Sequence, residues 1–326
     1  MQRHNKKFVW VLMSLIVISL WLTACGSNKT NEADNEGAAN APASTEAPAE
    51  RTLTDALGNE VTVPANPRRI IASYLEDHLV ALGIKPVAQW SVPNGIQDYL
   101  QEELAGIPTI AFDLPFEAVT SFDPDLIIMA YDSNVEGDKF AQYSKIAPTF
   151  TLGDKVTADW RSALLKVGEI VDKSEEAQKA LDAFDSKAKE AKEKIQGTAA
   201  GESAAAIWHL QGNFYIVSDK LSSGALLYND LGLAVPEVVK IVSATGTGSW
   251  NQISLEKLAE LDADHIFLIN SDSEADSKAL NDPIWEGIPA VKNGKVYTYP
   301  STSSWLYAGT IAYSQVIDDV LESIVK

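Results

Sequence analysis

One uninterrupted helical segment, Ser174 to Gln196, constrains the fold of this chain more than any other feature. Its 23 residues contain neither Gly nor Pro and are followed by Gly197. Serine is a favoured N-cap and glycine a favoured residue beyond a helix end, so the segment predicts one helix about 35 Å long. Its apolar residues recur at steps of three and four, which predicts a narrow buried seam: Ala177, Leu181, Phe184, Ala188, Ala191 and Ile195.

Short apolar runs alternate with helical stretches on both sides of this helix, a pattern typical of α/β architecture. We therefore predict two Rossmann-like α/β lobes joined by one long helix, with a ligand cleft between the lobes. The predicted boundaries are 52–172 for the first lobe, 173–197 for the helix and 198–326 for the second lobe. The predicted strands are Arg69–Ser73, Val87–Trp90, Thr109–Phe112, Leu126–Tyr131, Ala204–Leu210, Phe214–Val217, His265–Asn270 and Lys295–Thr298.

Further helices are predicted at Glu76–Leu82, at Phe116–Ser121 and from about Gly309 to Val325. An internal repeat supports two related lobes. Residues 116–129 and 255–268 each comprise a short helix, an Asp-x-Asp turn and a buried strand, and the copies are offset by 139 residues throughout.

The N-terminus predicts export. A positive start is followed by an apolar run from Phe8 to Ala24, the layout of a secretory signal peptide over residues 1–24. A retained signal anchor is the alternative, because the run approaches transmembrane length. The sequence Leu-Thr-Ala-Cys-Gly at 22–26 resembles the bacterial lipobox, and Cys25 is the only cysteine in the chain. We therefore predict that Cys25 is lipidated.

Residues 25–51 are predicted to be the lipidated cysteine and a flexible tether. Residues 26–50 hold no aromatic and no large aliphatic side chain, so they cannot bury enough apolar surface to fold. The whole chain carries a net charge of −19, and losing the three positive charges of the signal peptide makes the mature form more acidic still. This charge argues against nucleic acid and against electrostatic adhesion to anionic lipid. We expect an extracytoplasmic protein held at the cell membrane by its lipid.

The order of these segments resembles the iron-siderophore and vitamin B12 class of solute-binding proteins for ABC importers, and within it the siderophore-binding lipoproteins of Gram-positive bacteria. The resemblance covers roughly residues 52–325. It implies a monomer that delivers a ferric siderophore to a permease dimer and is not an enzyme. The matching stretches are Val63–Pro64, Pro67–Ile71, Ala81–Val87, Phe122–Ile128, Ser254–Leu258 and Pro283–Tyr297.

Two glutamates gain a role from this resemblance. Family members present one acidic residue from each lobe to arginines of the importer, and Glu117 and Glu256 occupy the matching positions. They are also paired positions of the internal repeat. The alternative is that both are ordinary exposed residues of a first helical turn, where the helix dipole favours acidic side chains.

Ligands of such folds lie against the loops that follow the carboxyl ends of strands. Those loops predict an aromatic-walled cleft that suits a bulky, partly apolar complex. Asp113 and Gln211 belong to the same loops. The predicted ligand-binding residues are Tyr74, Trp90, Tyr131, Asp132, Trp208, His209, Trp250, Trp305 and Tyr307.

The charge of these loops limits which class of ferric siderophore the cleft can bind. Relatives that bind triply anionic ferric catecholates use a basic cluster, whereas the matching positions here hold Ala111, Asp132, Trp208 and Leu210. A trianion without cationic partners is costly to desolvate, so a neutral or cationic ferric hydroxamate fits better. The arginine that hydroxamate-binding relatives keep in the cleft is not found, because serines 222 and 223 stand in its place.

Metal chemistry on the protein itself is not predicted, because no His-x-His or Cys-x-x-Cys spacing is present. We expect no directly bound cofactor, with iron carried inside the siderophore. Haem binding through His209, or corrinoid binding on the same fold, is the alternative. An enzyme is the rival from another class, but the chain has no Gly-x-Gly-x-x-Gly, Walker or Gly-x-Ser-x-Gly motif.

Overall fold

The computed structural model describes residues 49–93, 95–246, 248–273 and 277–325. The predicted signal peptide, Cys25 and most of the tether lie outside the described residues. The strands are β1 Arg51–Thr54, β2 Glu60–Val63, β3 Ile70–Ile71, β4 Gln89–Val92, β5 Gly95–Ile96, β6 Thr109–Ala111, β7 Leu126–Met129, β8 Thr149–Thr151, β9 Ala204–Leu210, β10 Asn213–Val217, β11 Trp250–Ile253, β12 His265–Asn270 and β13 Val296–Pro300.

Helices alternate with these strands through both halves of the described chain. They are α1 Glu76–Ala81, α2 Gln101–Leu104, α3 Phe116–Ser121, α4 Lys139–Tyr143, α5 Asp154–Thr157, α6 Trp160–Ile170, α7 Ser174–Thr198, α8 Ser222–Ala225, α9 Glu237–Thr245, α10 Leu255–Leu258, α11 Pro283–Glu286, α12 Pro289–Lys292 and α13 Thr310–Ile324.

The N-terminal lobe, built on β1–β8, holds its central strands in parallel pairs. Strand β7 lies between β3 and β8, and β4 pairs with β6. Strand β7 is buried on both faces: Leu126 and Ile128 belong to one apolar cluster, and Ile127 and Met129 to another. Burial on both faces is typical of parallel sheets covered by helices, so the α/β prediction for this lobe is confirmed.

The C-terminal lobe, built on β9–β13, has one sheet in the order β11-β10-β9-β12-β13. Strand β12 is parallel to β9 and β13, whereas β10 and β11 form antiparallel pairs. Three alanines at 204–206 of β9 are fully buried, which lets the neighbouring layers approach the sheet closely. Because β9, β12 and β13 run parallel, their carboxyl ends meet at one edge of the sheet.

Helix α7 connects the two lobes, as the sequence predicts. Its buried residues are the six predicted for its seam. It packs on α6 of the first lobe and on α13 of the second. Edge-to-face ring contacts join these helices, with 4.8 Å between the ring centroids of Trp160 and Phe184 and 5.5 Å between those of Trp160 and Tyr313. Most of the apolar core is one cluster that contains side chains of both lobes and of α7.

Candidate functional site

A cavity of about 890 Å³ lies between the lobes, lined by loops at the ends of strands from both. Its volume is within the range of roughly 300–1,000 Å³ typical of small-molecule sites. Seven aromatic residues dominate its wall, and serines and carboxamides supply most of the polar groups. The aromatic residues are Tyr74, Trp90, Phe112, Tyr131, Trp208, Trp250 and Tyr307.

The floor of the cavity is centred on Tyr74, which follows β3 and precedes α1. Its ring lies 5.2 Å from that of Trp90, 6.5 Å from that of Tyr131 and 6.4 Å from that of Tyr307, measured between centroids. Tyr74 has φ +67°, a left-handed conformation that is strained for a bulky side chain. The turn therefore holds this ring where it meets aromatic side chains of both lobes.

The opposite wall is built by β9 and its neighbours. The rings of Trp208 and Trp250 are 6.1 Å apart, and the ring of Tyr215 is 5.4 Å from that of Trp208. The Trp208 indole donates to the Ser271 hydroxyl at 2.7 Å. Successive side chains of a strand point to opposite faces, so Trp208 and Leu210 line the cavity while His209 between them is buried in the core.

The cavity is acidic. Asp98 and Asp272 are among its lining residues, and none of the lining residues that the structure describes is Lys, Arg or His. The Asp272 carboxylate accepts backbone N–H groups of Gln211 at 2.5 Å and Gly212 at 2.7 Å. These two donors fix the loop after β9 against the loop after β12. The field inside the cavity therefore favours a neutral or positively charged ligand.

The structure brings six of the nine predicted ligand-binding residues to this cavity. It also brings Phe112, whose side chain is 54% exposed at the rim, and Gln211. The sequence signal that could have identified Phe112 as a cavity residue is its position directly after β6. It follows Ala111, which is one of the positions compared above with the basic cluster of relatives. The six predicted residues are Tyr74, Trp90, Tyr131, Trp208, Trp250 and Tyr307.

Three predicted residues do not line the cavity. His209 is fully buried, with its Nδ1 3.1 Å from the Asn270 side-chain oxygen. Trp305 is also fully buried, and its indole donates to Asp319 at 2.8 Å because a single helical turn at 304–306 directs it toward α13. Asp132 is half-buried, and its Oδ1 is buried beside Gly153. The structure therefore does not bring these three predicted contacts to the cavity wall.

The lobes are tied together beneath the cavity floor by Asp77. Its buried carboxylate accepts the backbone N–H of Ile311 at 3.2 Å and of Ala312 at 2.9 Å, at the start of α13. Tyr99 donates its hydroxyl to the same group at 3.1 Å. A Cβ at Gly309 would lie 2.1 Å from an Asp77 oxygen, so only glycine permits this approach.

Burial shifts the acidity of three consecutive side chains in α1. It raises the pKa of Glu76 to about 8 and that of Asp77 to about 6, while it lowers the pKa of His78 to about 4. Glu76 accepts a hydrogen bond from the Trp90 N–H at 2.7 Å, and its Oε2 has no partner. Desolvation disfavours the charged form of each group, which explains all three directions.

The two predicted docking residues occupy matching places in the two lobes. Glu117 is exposed in the first turn of α3, and Glu256 is exposed in the first turn of α10. The amide of Glu256 and the Ser254 hydroxyl hold the pKa of the Glu256 carboxyl below its usual range. Both residues are separate from the cavity lining.

Two further properties concern only the part of the chain that the structure describes. It contains no group of three or more His, Cys, Asp or Glu side chains arranged to hold a metal ion. Among its helices, none combines the length and the apolar character that crossing a bilayer would need.

An α/β fold with two lobes, a long connecting helix and an interlobe cavity defines a solute-binding protein. The chain belongs to the periplasmic binding protein family, whose model matches residues 73–302. This is a family of binding proteins for transport. The class named from the sequence is thereby confirmed.

Relatives match over nearly the whole chain. The iron(3+)-hydroxamate-binding protein YxeB of Bacillus subtilis is 26% identical, and the match covers 98% of each chain. The "Probable siderophore-binding lipoprotein YfiY" of the same organism is 26% identical, with 97% of each chain covered.

A solved structure shares the fold. It is a periplasmic binding protein component of a Fep/Fec-like ferrichrome ABC transporter from Bacillus subtilis. The two structures superpose with a TM-score of 0.71 at 24% identity, covering 84% of this chain and 100% of the other.

Proposed function

We propose that this chain is the substrate-binding component of an ABC importer for iron and that it captures a ferric siderophore in the interlobe cavity. Its family consists of binding proteins, and the relatives named above bind iron(3+) hydroxamates or siderophores according to their names. We assign no reaction to it. The iron enters as cargo, held by the oxygen atoms of the siderophore, and the protein binds the organic shell.

The observation that carries this proposal is an aromatic cavity with two carboxylates, Asp98 and Asp272, and no cationic side chain among its described lining residues. Aromatic rings offer a large apolar contact area for a rigid complex. Transferring a triply charged anion into this environment is unfavourable because no cation would offset its lost hydration. A ferric trihydroxamate, which is neutral or cationic, avoids that cost, so we propose the hydroxamate class.

Haem and corrinoids are the alternative ligands of this fold. Haem binding through His209 is disfavoured because that side chain is fully buried behind the sheet. Tryptophan fluorescence titrated separately with a ferric trihydroxamate, haemin and cobalamin distinguishes the classes, since Trp90, Trp208 and Trp250 all line the cavity. We expect saturable quenching with the trihydroxamate. Tighter binding of haemin or cobalamin would contradict the proposal.

We further propose a lipid anchor at Cys25, a monomeric state and a permease dimer as partner. The lipobox-like sequence at 22–26 supports the anchor, and so does the name of the related lipoprotein. Cys25→Ala is expected to release the protein into the medium or leave it unprocessed. Mass spectrometry of the N-terminus checks this, and an unmodified Cys25 in the wild type would contradict the anchor.

A further inference from the structure

A second, much smaller cavity of about 60 Å³ adjoins the floor of the main one. Tyr74, Tyr131 and Tyr307 line both cavities, so the two cavities meet at these three phenol rings. His78 and Gln97 line the small cavity and not the main one. We call the small cavity the inner chamber and the three rings the tyrosine wall.

The inner chamber is lined by two residues with buried polar atoms that have no hydrogen-bond partner. His78 Nδ1 and Gln97 Oε1 are buried without a partner, and each residue is only 4% exposed. The Gln97 oxygen can only accept. Because burial lowers the pKa of His78 to about 4, its imidazole is neutral near pH 7 and one ring nitrogen accepts. Buried polar atoms are normally paired, so this chamber is suited to a group that brings N–H donors.

The electrostatics of this region indicate that the group with the N–H donors carries a positive charge. Glu76, two residues before His78, is fully buried, and its Oε2 has no partner. Burial, and among the further causes the charge of Glu76, raises the pKa of Tyr74 and of Tyr307 in the tyrosine wall. Because burial raises the pKa of Glu76 to about 8, its carboxyl group is protonated near pH 7 in the free protein, and a positive charge brought to that wall would favour its ionisation. Neither cavity is lined by a described Lys or Arg that already supplies such a charge.

The tyrosine wall itself suits a cation. The ring of Tyr74 stands between those of Tyr131 and Tyr307 at centroid distances of 6.5 Å and 6.4 Å. Faces of aromatic rings attract ammonium groups, most strongly where water is excluded. The left-handed φ of Tyr74 is a strain of the kind that clusters at ligand sites.

We propose that the tyrosine wall and the inner chamber form a subsite for a protonated primary amine on a flexible arm of the bound ferric complex. This deepens the proposed function and rests on it, because the iron complex must occupy the main cavity. The inner chamber has room for about two water-sized groups, which admits an ammonium end and excludes the complex. The rings attract the cation, and Gln97 and His78 accept its N–H groups.

The test compares two probes that differ only in this amine: ferrioxamine B, a linear ferric trihydroxamate with a terminal ammonium, and its N-acetyl derivative. Dissociation constants are measured by calorimetry near pH 7 for the wild type, Gln97→Met and Glu76→Gln. Gln178→Met, the same exchange at an exposed position of α7, is the matched control. We expect the wild type and the control to prefer the free amine by about tenfold, as a desolvated cation–π contact allows.

In Gln97→Met and Glu76→Gln the preference is expected to fall toward one. Equal affinity of the wild type for both probes, as when only water occupies the inner chamber, would overturn the subsite and leave the proposed function standing. An undiminished preference in both variants would also overturn it. Failure of the wild type to bind either probe would overturn the hydroxamate proposal, and the subsite with it.

Discussion

Glu76 provides a quantitative test of the structure because its burial is complete and its pKa is raised to about 8 from an ordinary value of 4.5. Between these two values the folded protein keeps the proton and the unfolded chain loses it. Stability from this group is therefore fully present below pH 4.5 and falls as pH rises toward 8. The slope is about 1.4 kcal/mol per pH unit, so about 3 kcal/mol is lost between pH 5 and pH 7.

Glu76→Gln removes this titration while keeping the shape of the protonated side chain. The free energy of unfolding is measured by urea titration at pH 5, 6 and 7 for the wild type and the variant. Other groups that titrate in this range, Asp77 among them, are common to both proteins and largely cancel in the difference. Relative to the variant, the wild type is expected to lose about 3 kcal/mol over this range.

Glu102→Gln, at an exposed position of α2, is the control and is expected to run parallel to the wild type. Parallel curves for the wild type and Glu76→Gln across pH 5–7 would refute the reasoning, because they would mean that Glu76 is ionised and solvated in the folded state.

Three further predictions concern the lobes. Gly309→Ala is expected to destabilise the protein by about 2–3 kcal/mol, because the added Cβ clashes with Asp77. Gly197→Ala near the end of α7, where a Cβ meets open space, is expected to stabilise the protein by up to about 1 kcal/mol. Urea unfolding of both variants checks these two values, and equal effects on the free energy of unfolding would contradict them. Glu117→Ala and Glu256→Ala should each keep ligand affinity and reduce uptake by cells, and loss of ligand binding in either would contradict the docking role. Small-angle scattering of free and loaded protein should show only a slight compaction because α7 and the Asp77 contact hold both lobes, and a large compaction would argue against a helical hinge.

Elements with a strong local pattern could be predicted from the sequence. Helix α7 was predicted with its buried seam because its periodicity is continuous over 23 residues. Strands β9 and β12 form within the predicted bounds, since their apolar runs are long. Strand β3 is limited to Ile70–Ile71, shorter than predicted, because the preceding backbone binds the Asp125 carboxylate and Tyr74 turns into a left-handed conformation.

Two elements do not follow from the hydrophobic pattern of the sequence. The hairpin β1–β2 is closed by the Asp55 side chain, which accepts the N–H groups of Leu57 and Asn59. Helix α6 was not distinguished from its surroundings, although its buried face packs on α7.

The candidate site, too, could be predicted from the sequence only in part. The rule that ligands meet the carboxyl ends of strands located the aromatic wall, but it could not say which side of a strand or turn each residue faces. The rule therefore assigns His209 and Trp305 to the cavity, although both are buried. The contact of Asp77 with α13 joins residues more than 230 positions apart, and no local pattern reveals such a pairing.

The central claim is that the cavity binds a neutral or cationic ferric complex, and comparing the affinities of complexes that differ in charge tests it most directly. Calorimetric titration of the mature protein compares a ferric trihydroxamate with a ferric tricatecholate, and Leu210→Lys places a cation in the cavity wall. The cavity contains Asp98 and Asp272 without a described cationic partner among its lining residues. We therefore expect the unmutated protein to bind the trihydroxamate far more tightly than the tricatecholate. Leu210→Lys is expected to reduce the difference in affinity between the two complexes. Tighter binding of the tricatecholate by the unmutated protein would contradict the account.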